Sequence, residues 1–410
     1  MSMGFLAASK INKSKFAAVL LLNIGALSWF FILNNYMEDF LVNVNLNTAE
    51  YAGFVGNSLV YGFAIFWSIA ISFIGNRINR RKLLFISIIL GIFSTVLLGF
   101  VKGPFLTSII CSLMGLSLGL FLPSSMALVA DTTVAENRGR ASGIIILGTF
   151  IIAFALMAIF KMLTLDLFDL ILMLALVRSI SLFGLLIAKL DISLTIVDKV
   201  HVPAAAYKEF ALYLIPWAIF TLASSLAKGI IPPEDFQSAL SQGETFRFVL
   251  IAIFGLAAGF IADRFGRKQP IFLGLATLGI GYLLLGYNIN EISVIIYYAL
   301  SGITWGLFFV IFLAIPGDLS THDKREKFYA LGYILPLTGV LALSVIPVPE
   351  ITDFIDANLI SQIVGICLFL AMYPVFRAKE TLSESKMRER KLKDYVQKLG
   401  KAIQEPEKTE

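Results

Sequence analysis

The segment 259–268, Gly-Phe-Ile-Ala-Asp-Arg-Phe-Gly-Arg-Lys, holds the densest combination of residue types that could do chemistry. Asp263 follows an apolar run, where its carboxylate can accept hydrogen bonds from basic side chains or from free backbone N–H groups. Gly266 allows a tight turn with positive φ. The chemistry expected of this loop is ion pairing and anchoring at an anionic membrane surface, and we select these residues for it: Gly259, Asp263, Arg264, Gly266, Arg267 and Lys268.

A degraded copy of this segment lies 187 residues earlier, since 263 − 76 = 187. There Asn76 replaces the acid and Asn79 replaces the second glycine, while the basic residues Arg77 and Arg80 remain. The same offset relates further charged residues, which are Asp131 to Asp318, Arg138 to Arg325 and Arg140 to Lys327. Matches of both charge signs at one spacing predict an internal duplication, the way many secondary transporters are built.

The repeated acids are candidates for latches between helices. We expect Asp131 to pair with Arg80 and Asp318 to pair with Arg267, with Arg138 in the same group. Ion pairs of this kind can hold one conformation and release in another. The alternative is that these residues only set membrane topology. Asparagine at position 76 argues against a conventional latch in the first half of the chain.

Signals of catalysis are missing from the sequence. Metal-ligand spacings, nucleophile–base constellations and phosphate-binding loops do not occur. We therefore predict that the protein is not an enzyme and that it uses no metal and no cofactor.

Long apolar runs must position these charged loops. The chain has 410 residues, of which 58% are hydrophobic and 15% are charged, and its mean hydropathy is +0.84. In lipid every backbone polar group must be satisfied internally, and continuous apolar runs of roughly 20 residues achieve this as helices. Twelve spans are predicted at 16–34, 50–75, 83–101, 105–130, 141–162, 168–189, 209–228, 244–263, 270–287, 292–317, 327–346 and 357–376.

Basic residues assign a side to each loop. Of the 33 Lys and Arg residues, 28 lie in the two terminal segments and in alternate loops, which places those segments in the cytoplasm. Both termini are therefore expected to be cytoplasmic, and the net charge of +5 reflects this asymmetry rather than nucleic-acid binding. The prediction is an all-α membrane protein, multi-pass in the plasma membrane.

Four parts of the chain are expected. Two six-helix halves, 1–189 and 209–376, are joined by a cytoplasmic central loop at 190–208 and followed by a basic cytoplasmic tail at 377–410. Within the tail, residues 381–403 have the apolar spacing of an amphipathic helix that could lie on the anionic leaflet, with a solvated charged tail as the alternative.

The segment 259–268 resembles the signature loop of the major facilitator superfamily, which reads glycine, three residues, Asp-Arg, one residue, Gly-Arg-Arg/Lys. Every position of that pattern is filled here, whereas the copy at 72–81 departs from it at Asn76 and Asn79. The resemblance implies twelve helices in two pseudo-symmetric halves, and it covers the chain to about residue 376.

The resemblance also implies a central cavity lined by the first, fourth, seventh and tenth spans. Hydroxyls, amides and aromatic faces there suit a polar organic solute, although each residue could equally be a helix-packing residue. The residues selected as substrate contacts are Asn23, Trp29, Asn34, Ser124, Trp217, Thr221, Tyr297, Tyr298 and Trp305. Arg178, the deepest ionisable residue of any span, is added because such residues are usually functional.

We expect a secondary active transporter that moves a small polar organic solute, of the sugar or organic-anion class, by alternating access. The alternatives are a non-transporting membrane sensor or scaffold and a multidrug exporter, although the fifth span lacks the Gly-Pro element typical of drug–proton antiporters. A coupling proton is a further alternative, although no Asp or Glu lies at the middle of any span. The expected partners are the solute and membrane lipid, and a monomer is expected.

Overall fold

The protein is a bundle of α-helices in the computed structural model, which describes residues 13–43, 49–74, 78–187, 204–231, 236–345 and 356–382. Within those ranges there are no strands. In chain order the helices are α1 Lys13–Asn43, α2 Ala49–Ile74, α3 Arg80–Leu98, α4 Pro104–Thr132, α5 Ala135–Met162, α6 Leu167–Ile187, α7 Ala204–Ile230, α8 Gln237–Phe265, α9 Lys268–Tyr287, α10 Glu291–Leu319, α11 Arg325–Val345, α12 Ala357–Leu370 and the short α13 Met372–Arg377.

The predicted spans are present as helices. Eleven helical segments of the described chain are long and apolar enough to cross a membrane, α12 and α13 together forming one of them. Helix α11 occupies the place of the remaining predicted span. The all-α membrane fold predicted from the sequence is confirmed.

Several helices extend beyond the predicted spans, such as α1, which ends at Asn43, and α8, which begins at Gln237, and one extension shortens the predicted central loop. Helix α7 begins at Ala204, inside the predicted central loop 190–208, because residues 204–206 are alanines, which favour helix. Residues 188–203, which make up most of that loop, lie outside the described residues. The predicted amphipathic tail helix also lies outside them, from residue 383 onward.

The two halves pack their helices in corresponding pairs. In the first half α1 packs on α6, α2 on α4, and α3 on both α4 and α6. In the second half α7 packs on α12, α8 on α10, and α9 on both α10 and α12. These are the same pairs shifted by six helices, as expected for a duplicated sequence.

The outward surface of the bundle is apolar. Large hydrophobic side chains such as Phe66, Phe73, Phe183 and Ile253 are more than half exposed. A water-facing surface of this kind would favour aggregation, whereas a surrounding lipid phase satisfies it.

Two seams join the halves, one between α5 and α8 and the other between α2 and α11. In the first seam the backbones come very close at Gly139 and Gly259. A Cβ on Gly139 would lie 2.8 Å from the Gly259 carbonyl oxygen, and a Cβ on Gly259 would lie 2.6 Å from the Gly139 carbonyl oxygen. Small residues allow such approach between membrane helices.

We call the end of the bundle where α2 meets α3 and α8 meets α9 the signature end. The turns from α4 to α5 and from α10 to α11 lie at the same end, because consecutive spans reverse direction. The charged residues selected from the sequence come from these turns and from the helix ends beside them.

Candidate functional site: a charged network at the signature end

Arg267 is held by two carboxylates of its own half. Its Nε donates to Asp318 Oδ2 at 2.8 Å, and its Nη1 donates to Asp263 Oδ1 at 2.7 Å. All three side chains are almost fully buried, with exposures of 0% for Arg267, 0% for Asp318 and 3% for Asp263. The pair predicted between Arg267 and Asp318 is therefore present. We call this group the Arg267 corner.

Asp263 also reaches across to the other half. Its two oxygens accept hydrogen bonds from the backbone N–H groups of Gly139 and Arg140 on α5, both at 2.9 Å. Arg140 Nε donates to the same carboxylate at 3.1 Å. These contacts depend on the close approach of Gly139 to Gly259, because a side chain at position 139 would meet the carboxylate.

Asp318 is the second link across the seam. Arg138 Nη1 from α5 donates to Asp318 Oδ1, and its Nη2 donates at 3.2 Å to the backbone carbonyls of Ala130 and Thr133 at the end of α4. Arg267 reaches back in the other direction, since its Nη2 donates to the Ala135 carbonyl. The Arg267 corner thus ties α5 to α8 and α10.

Gly266 makes the turn that brings Arg267 inward. Its φ is +104°, a left-handed value that glycine adopts without strain. The first backbone N–H groups of α9 are then capped by a distant carboxylate, since Glu380 accepts from Arg267 N at 2.8 Å and from Lys268 N at 3.2 Å. The neighbouring Thr381 hydroxyl donates to Asp318 at 3.3 Å. Residues after the last helix therefore belong to the site.

Arg80 occupies the matching position in the first half. Its Nη1 donates to Asp131 Oδ2 at 2.6 Å, which is the other pair predicted from the sequence, and its Nε donates to Glu326 Oε1 at 2.7 Å. Glu326 lies in the first turn of α11, in the opposite half. Arg325 of the same turn donates through Nη1 to Asp131 Oδ1. We call this group the Arg80 corner.

The turn before Arg80 differs from the Gly266 turn. Asn79 has an extended backbone with φ −64°, and its side chain caps α3 by accepting from Arg81 N at 3.0 Å and Lys82 N at 3.4 Å. Asparagine is a preferred N-cap residue, so this position needs no glycine. The selected residues Asn76 and Arg77 lie outside the described residues.

Two other selected residues are less involved in the network. Arg264 is exposed and lies over the Phe265 ring, 5.5 Å from its centroid. Lys268 donates through Nζ to the Phe376 carbonyl at 3.3 Å. Both lie at the signature end, where α8 ends and α9 begins.

Burial and charge set the protonation of the network. Burial lowers the pKa of Arg267, but the carboxylates of Asp318 and Asp263 outweigh it and raise the pKa above its usual value, so Arg267 stays charged. His322, in the turn between α10 and α11, has its Nε2 3.5 Å from Asp131 Oδ1. Burial, followed by the nearby Arg80 guanidinium, lowers the pKa of His322.

The selected tryptophans Trp217 and Trp305 belong to one aromatic cluster at the middle of the bundle. Trp217 stacks on Phe312 with centroids 4.1 Å apart, and Trp305 packs against Phe220 at 4.6 Å. The cluster crosses between the halves, because Phe31 of α1 contacts Phe309 of α10 at 5.2 Å. Phe150 and Phe308 also belong to the cluster.

Arg178 and Trp29 meet inside the first half. The Arg178 guanidinium carbon lies 4.9 Å from the Trp29 ring centroid and 4.4 Å from that of Phe121. Arg178 is fully buried, its Nη2 donates to Ser117 Oγ at 3.2 Å, and its Nε and Nη1 have no hydrogen-bond partner. Within the described chain no acidic side chain lies at ion-pair distance from it.

Other selected residues face helices of their own half. Trp29 Nε1 donates to Thr95 Oγ1 of α3 at 2.8 Å, and Asn34 accepts from the Tyr61 hydroxyl of α2. Tyr297 donates to the Tyr282 hydroxyl of α9 at 3.4 Å. The sequence alone did not show these orientations, because position along a helix does not tell which neighbour a side chain faces.

The remaining selected residues contact their own helix or a neighbouring side chain, and the hydroxyl of one of them has no hydrogen-bond partner. Asn23 Nδ2 donates to the Val19 carbonyl at 2.8 Å, and the Thr221 hydroxyl donates to the Ala218 carbonyl at 3.0 Å. Ser124 is fully buried and its hydroxyl has no partner. Tyr298 lies under the Arg247 guanidinium, 5.4 Å from the ring centroid.

A cavity of about 520 Å³ lies at the end of the bundle opposite the signature end. It is lined by residues near the ends of α1, α3 and α6, including Phe40, Leu98, Lys102 and Asp166. None of the selected substrate contacts lines it.

Sequence reasoning missed Glu326 and Glu380. The 187-residue offset would have drawn attention to Glu326, which falls opposite Gly139, where the first copy has no acid. Glu380 had no such signal, because it becomes part of the site only when the segment after α13 folds back to α9.

These features define a polytopic membrane protein with a two-half transporter fold. Comparison with known proteins agrees. The sequence model of the Major Facilitator Superfamily matches residues 210–392. An uncharacterised MFS-type transporter of Methanocaldococcus jannaschii is 30% identical over 146 residues, which are 33% of this chain and 36% of that protein. The resemblance stated from the signature loop is confirmed by the match of residues 210–392 to the model of that family.

Solved structures share the fold at low sequence identity. The proton:xylose symporter XylE, bound to 6-bromo-6-deoxy-D-glucose, superposes with a TM-score of 0.66 at 15% identity, over 90% of this chain and 97% of that one. The human organic anion transporter MFSD10 superposes with a TM-score of 0.61 at 14% identity, over 88% and 99% respectively. The alignment with the archaeal relative spans about a third of that protein's length.

Proposed function

We propose that the protein is a secondary active transporter that moves a small polar organic solute across the plasma membrane by alternating access. The observation that carries the proposal is the composition of the charged network. Four of its contacts join one half to the other: Arg138 to Asp318, Arg325 to Asp131, Arg80 to Glu326, and Asp263 to Arg140. Contacts of this kind must break if the halves separate at this end, so the network can act as a gate.

We further propose that the signature end faces the cytoplasm and that the described conformation has the cytoplasmic gate closed. The basic residues of the chain support this orientation, because Lys and Arg are retained on the cytoplasmic side. The aromatic cluster then lies on the path between the gate and the other side of the membrane.

The substrate class we propose is an organic anion, with sugars as the other candidate class. Arg178 supports this choice, because a buried guanidinium that has two nitrogens without a hydrogen-bond partner and no described acidic partner is costly in lipid. A carboxylate or phosphate that approaches the bundle would be attracted by this charge. The names of the two solved structures, a xylose symporter and an organic anion transporter, include both classes.

Uptake and counterflow in proteoliposomes test the proposal. The panel should contain sugars, carboxylates and amino acids, each measured with and without a pH gradient. Solute-specific flux would support a transporter, and its dependence on the gradient would identify proton coupling. Binding without flux would instead support a non-transporting sensor or scaffold and would overturn the proposal.

Arg178 gives a matched pair of variants for the substrate class. Arg178→Met removes the charge and keeps an unbranched apolar side chain, and Arg178→Lys keeps a charge. Since no described carboxylate depends on Arg178, we expect Arg178→Met to fold. Anion flux should fall at least tenfold in Arg178→Met, fall less in Arg178→Lys, and sugar flux should change in neither. Equal anion kinetics in all three proteins would remove Arg178 from the substrate site.

A further inference from the structure

The first half lacks the acid of its signature loop, yet Arg80 is bonded by two carboxylates, as Arg267 is. In both arginines Nε and Nη1 each donate to a different carboxylate, at distances between 2.6 and 2.8 Å. One acid of each set is equivalent by the repeat, Asp131 for Arg80 and Asp318 for Arg267. The second acids are not equivalent, since they are Glu326 and Asp263.

We propose that Glu326 replaces the missing signature acid and supplies it from the opposite half of the molecule. This inference rests on the proposed gating function. Glu326 stands at the position that matches Gly139, because 326 − 187 = 139. The acid is thus absent from position 76 and present on α11, where it contacts Arg80, the arginine equivalent to Arg267 by the repeat.

The contact is too buried to be a surface ion pair. The exposed fractions are 10% for the Arg80 side chain and 6% for the Glu326 side chain. An acid in the first turn of a helix also stabilises that helix through its dipole, which would explain a glutamate at this position without a gate. That explanation does not require Glu326 to be buried or to contact Arg80, and the structure shows both.

Because Glu326 comes from the opposite half, separation of the halves affects Arg80 and Arg267 differently. When the halves separate, Arg267 keeps Asp263 and Asp318, because α8 and α10 move together with it. Arg80 keeps Asp131 but leaves Glu326 behind on α11. Opening also breaks the Arg138–Asp318 and Arg140–Asp263 pairs at the Arg267 corner, but it leaves Arg267 with both of its carboxylates, whereas Arg80 loses one of its two. Glu326 is a positioning residue that favours the closed gate, and it does not need to touch the solute.

Accessibility of a cysteine behind the gate tests this role without any flux measurement. Ser124→Cys is a suitable reporter in a background with Cys111→Ser and Cys367→Ser. Ser124 is fully buried and lies seven residues before Asp131 on α4, which is two turns or roughly 10 Å deeper. Its hydroxyl has no partner, so the replacement should cost little. A membrane-impermeant thiol reagent is applied separately to each side of sealed vesicles.

We expect Glu326→Gln to raise the rate of labelling from the signature end about tenfold, the factor that corresponds to one charge-assisted hydrogen bond. The matched control is Glu291→Gln, an exposed acid in the first turn of α10 at the opposite end, which should label like the parent. Glu326→Asp keeps the charge and should lie between them. If Glu326→Gln is not recovered in membranes, Glu326→Asp alone tests the proposal. Labelling of Glu326→Asp at the parent rate would then contradict the proposed role of Glu326.

A second substitution tests whether Glu326 supplies the carboxylate that the signature acid supplies in the second half. Asn76→Asp places an acid at the position equivalent to Asp263 by the repeat. Added to Glu326→Gln, it should return labelling from the signature end toward the parent rate. Labelling of Glu326→Gln at the parent rate would overturn the proposal, even if the protein transports a solute. Raised labelling in a protein that carries no solute would retain the role of Glu326 and refute only the proposed function.

Discussion

At the Arg267 corner the second carboxylate that bonds the arginine comes from the same loop, and the group that caps the next helix comes from a distant part of the chain. At the Arg80 corner the cap comes from the adjacent residue and the second carboxylate comes from the other half. Asp263 lies one turn before Arg267, and Glu380 caps α9 from beyond the last helix. Asn79 caps α3 from the adjacent position, and Glu326 comes from the other half. The same two requirements, neutralising a buried arginine and capping the helix that follows it, are met from different parts of the chain.

This difference shows what the duplicated loop must achieve. A buried guanidinium needs paired charge, because an unpaired one is costly. A helix that begins at the membrane boundary needs acceptors for its free N–H groups. The duplicated halves have kept these requirements but not the residues that meet them. Asparagine at positions 76 and 79 therefore does not leave Arg80 without carboxylates or α3 without a cap.

The largest expected effect distinguishes the two acids that are equivalent by the repeat, Asp318 and Asp131. Asp318→Asn removes the charge shared by Arg138 and Arg267, and its side chain is fully buried. We expect a loss of about 3–5 kcal/mol in stability, the cost of leaving a buried charge without its partner. Asp131→Asn should cost less, because the Asp131 side chain is 15% exposed. Thermal unfolding in detergent measures both, and equal losses would show that the two corners do not differ in this respect.

A smaller effect is expected from the seams. Gly139→Ala places a Cβ 2.8 Å from the Gly259 carbonyl oxygen and close to Asp263. We expect overpacking to cost about 1–3 kcal/mol and to increase labelling of the Ser124→Cys reporter from the signature end. Gly332→Ala on α11 is the control, since its Cβ would find only the Pro316 side chain, at 3.8 Å. If the two variants behave alike, close approach of α5 and α8 is not what holds this corner.

Much of the framework could be predicted from the sequence. Continuous apolar runs determine where helices cross lipid, so the spans followed from composition and length alone. The pairs of Arg80 with Asp131 and of Arg267 with Asp318 also followed, because the offset placed each acid and each base at the same end of its half.

The contacts between the halves could not be predicted in the same way. The offset relates equivalent positions of the two halves, but the contact between Glu326 and Arg80 joins positions that are not equivalent. The residue equivalent to Glu326 in the first half is Gly139, which has no side chain to suggest an ion pair. Arg178 shows the same difficulty inside one half. Its depth was evident from the sequence, but its position over Trp29 and Phe121 depends on how α6 is rotated against α1 and α4.

The smallest expected effect concerns His322 at the Arg80 corner. The equivalent position by the repeat is Ala135, so the Arg267 corner has no corresponding histidine. Its pKa in the described conformation is lowered from the ordinary value of about 6.5, first by burial and then by Arg80, and Glu326 and Asp323 only partly oppose this. In the proposed open gate, where His322 would be solvated, a proton therefore binds more tightly. Above pH 6.5 the residue is neutral in both states and has no effect. As the pH falls below about 6.5, protonation should favour the open gate.

The shift should be modest, since the His322 side chain is 49% exposed. We expect labelling of the reporter from the signature end to rise about two- to threefold between pH 7.5 and pH 5.5. His322→Gln should remove that rise, and His201→Gln, at the other histidine of the chain, should retain it. A rise that survives in His322→Gln would assign the acid response to another group. A fall in labelling with acid would mean that Asp131, 3.5 Å from Nε2, dominates over burial and holds a protonated His322 in the closed gate.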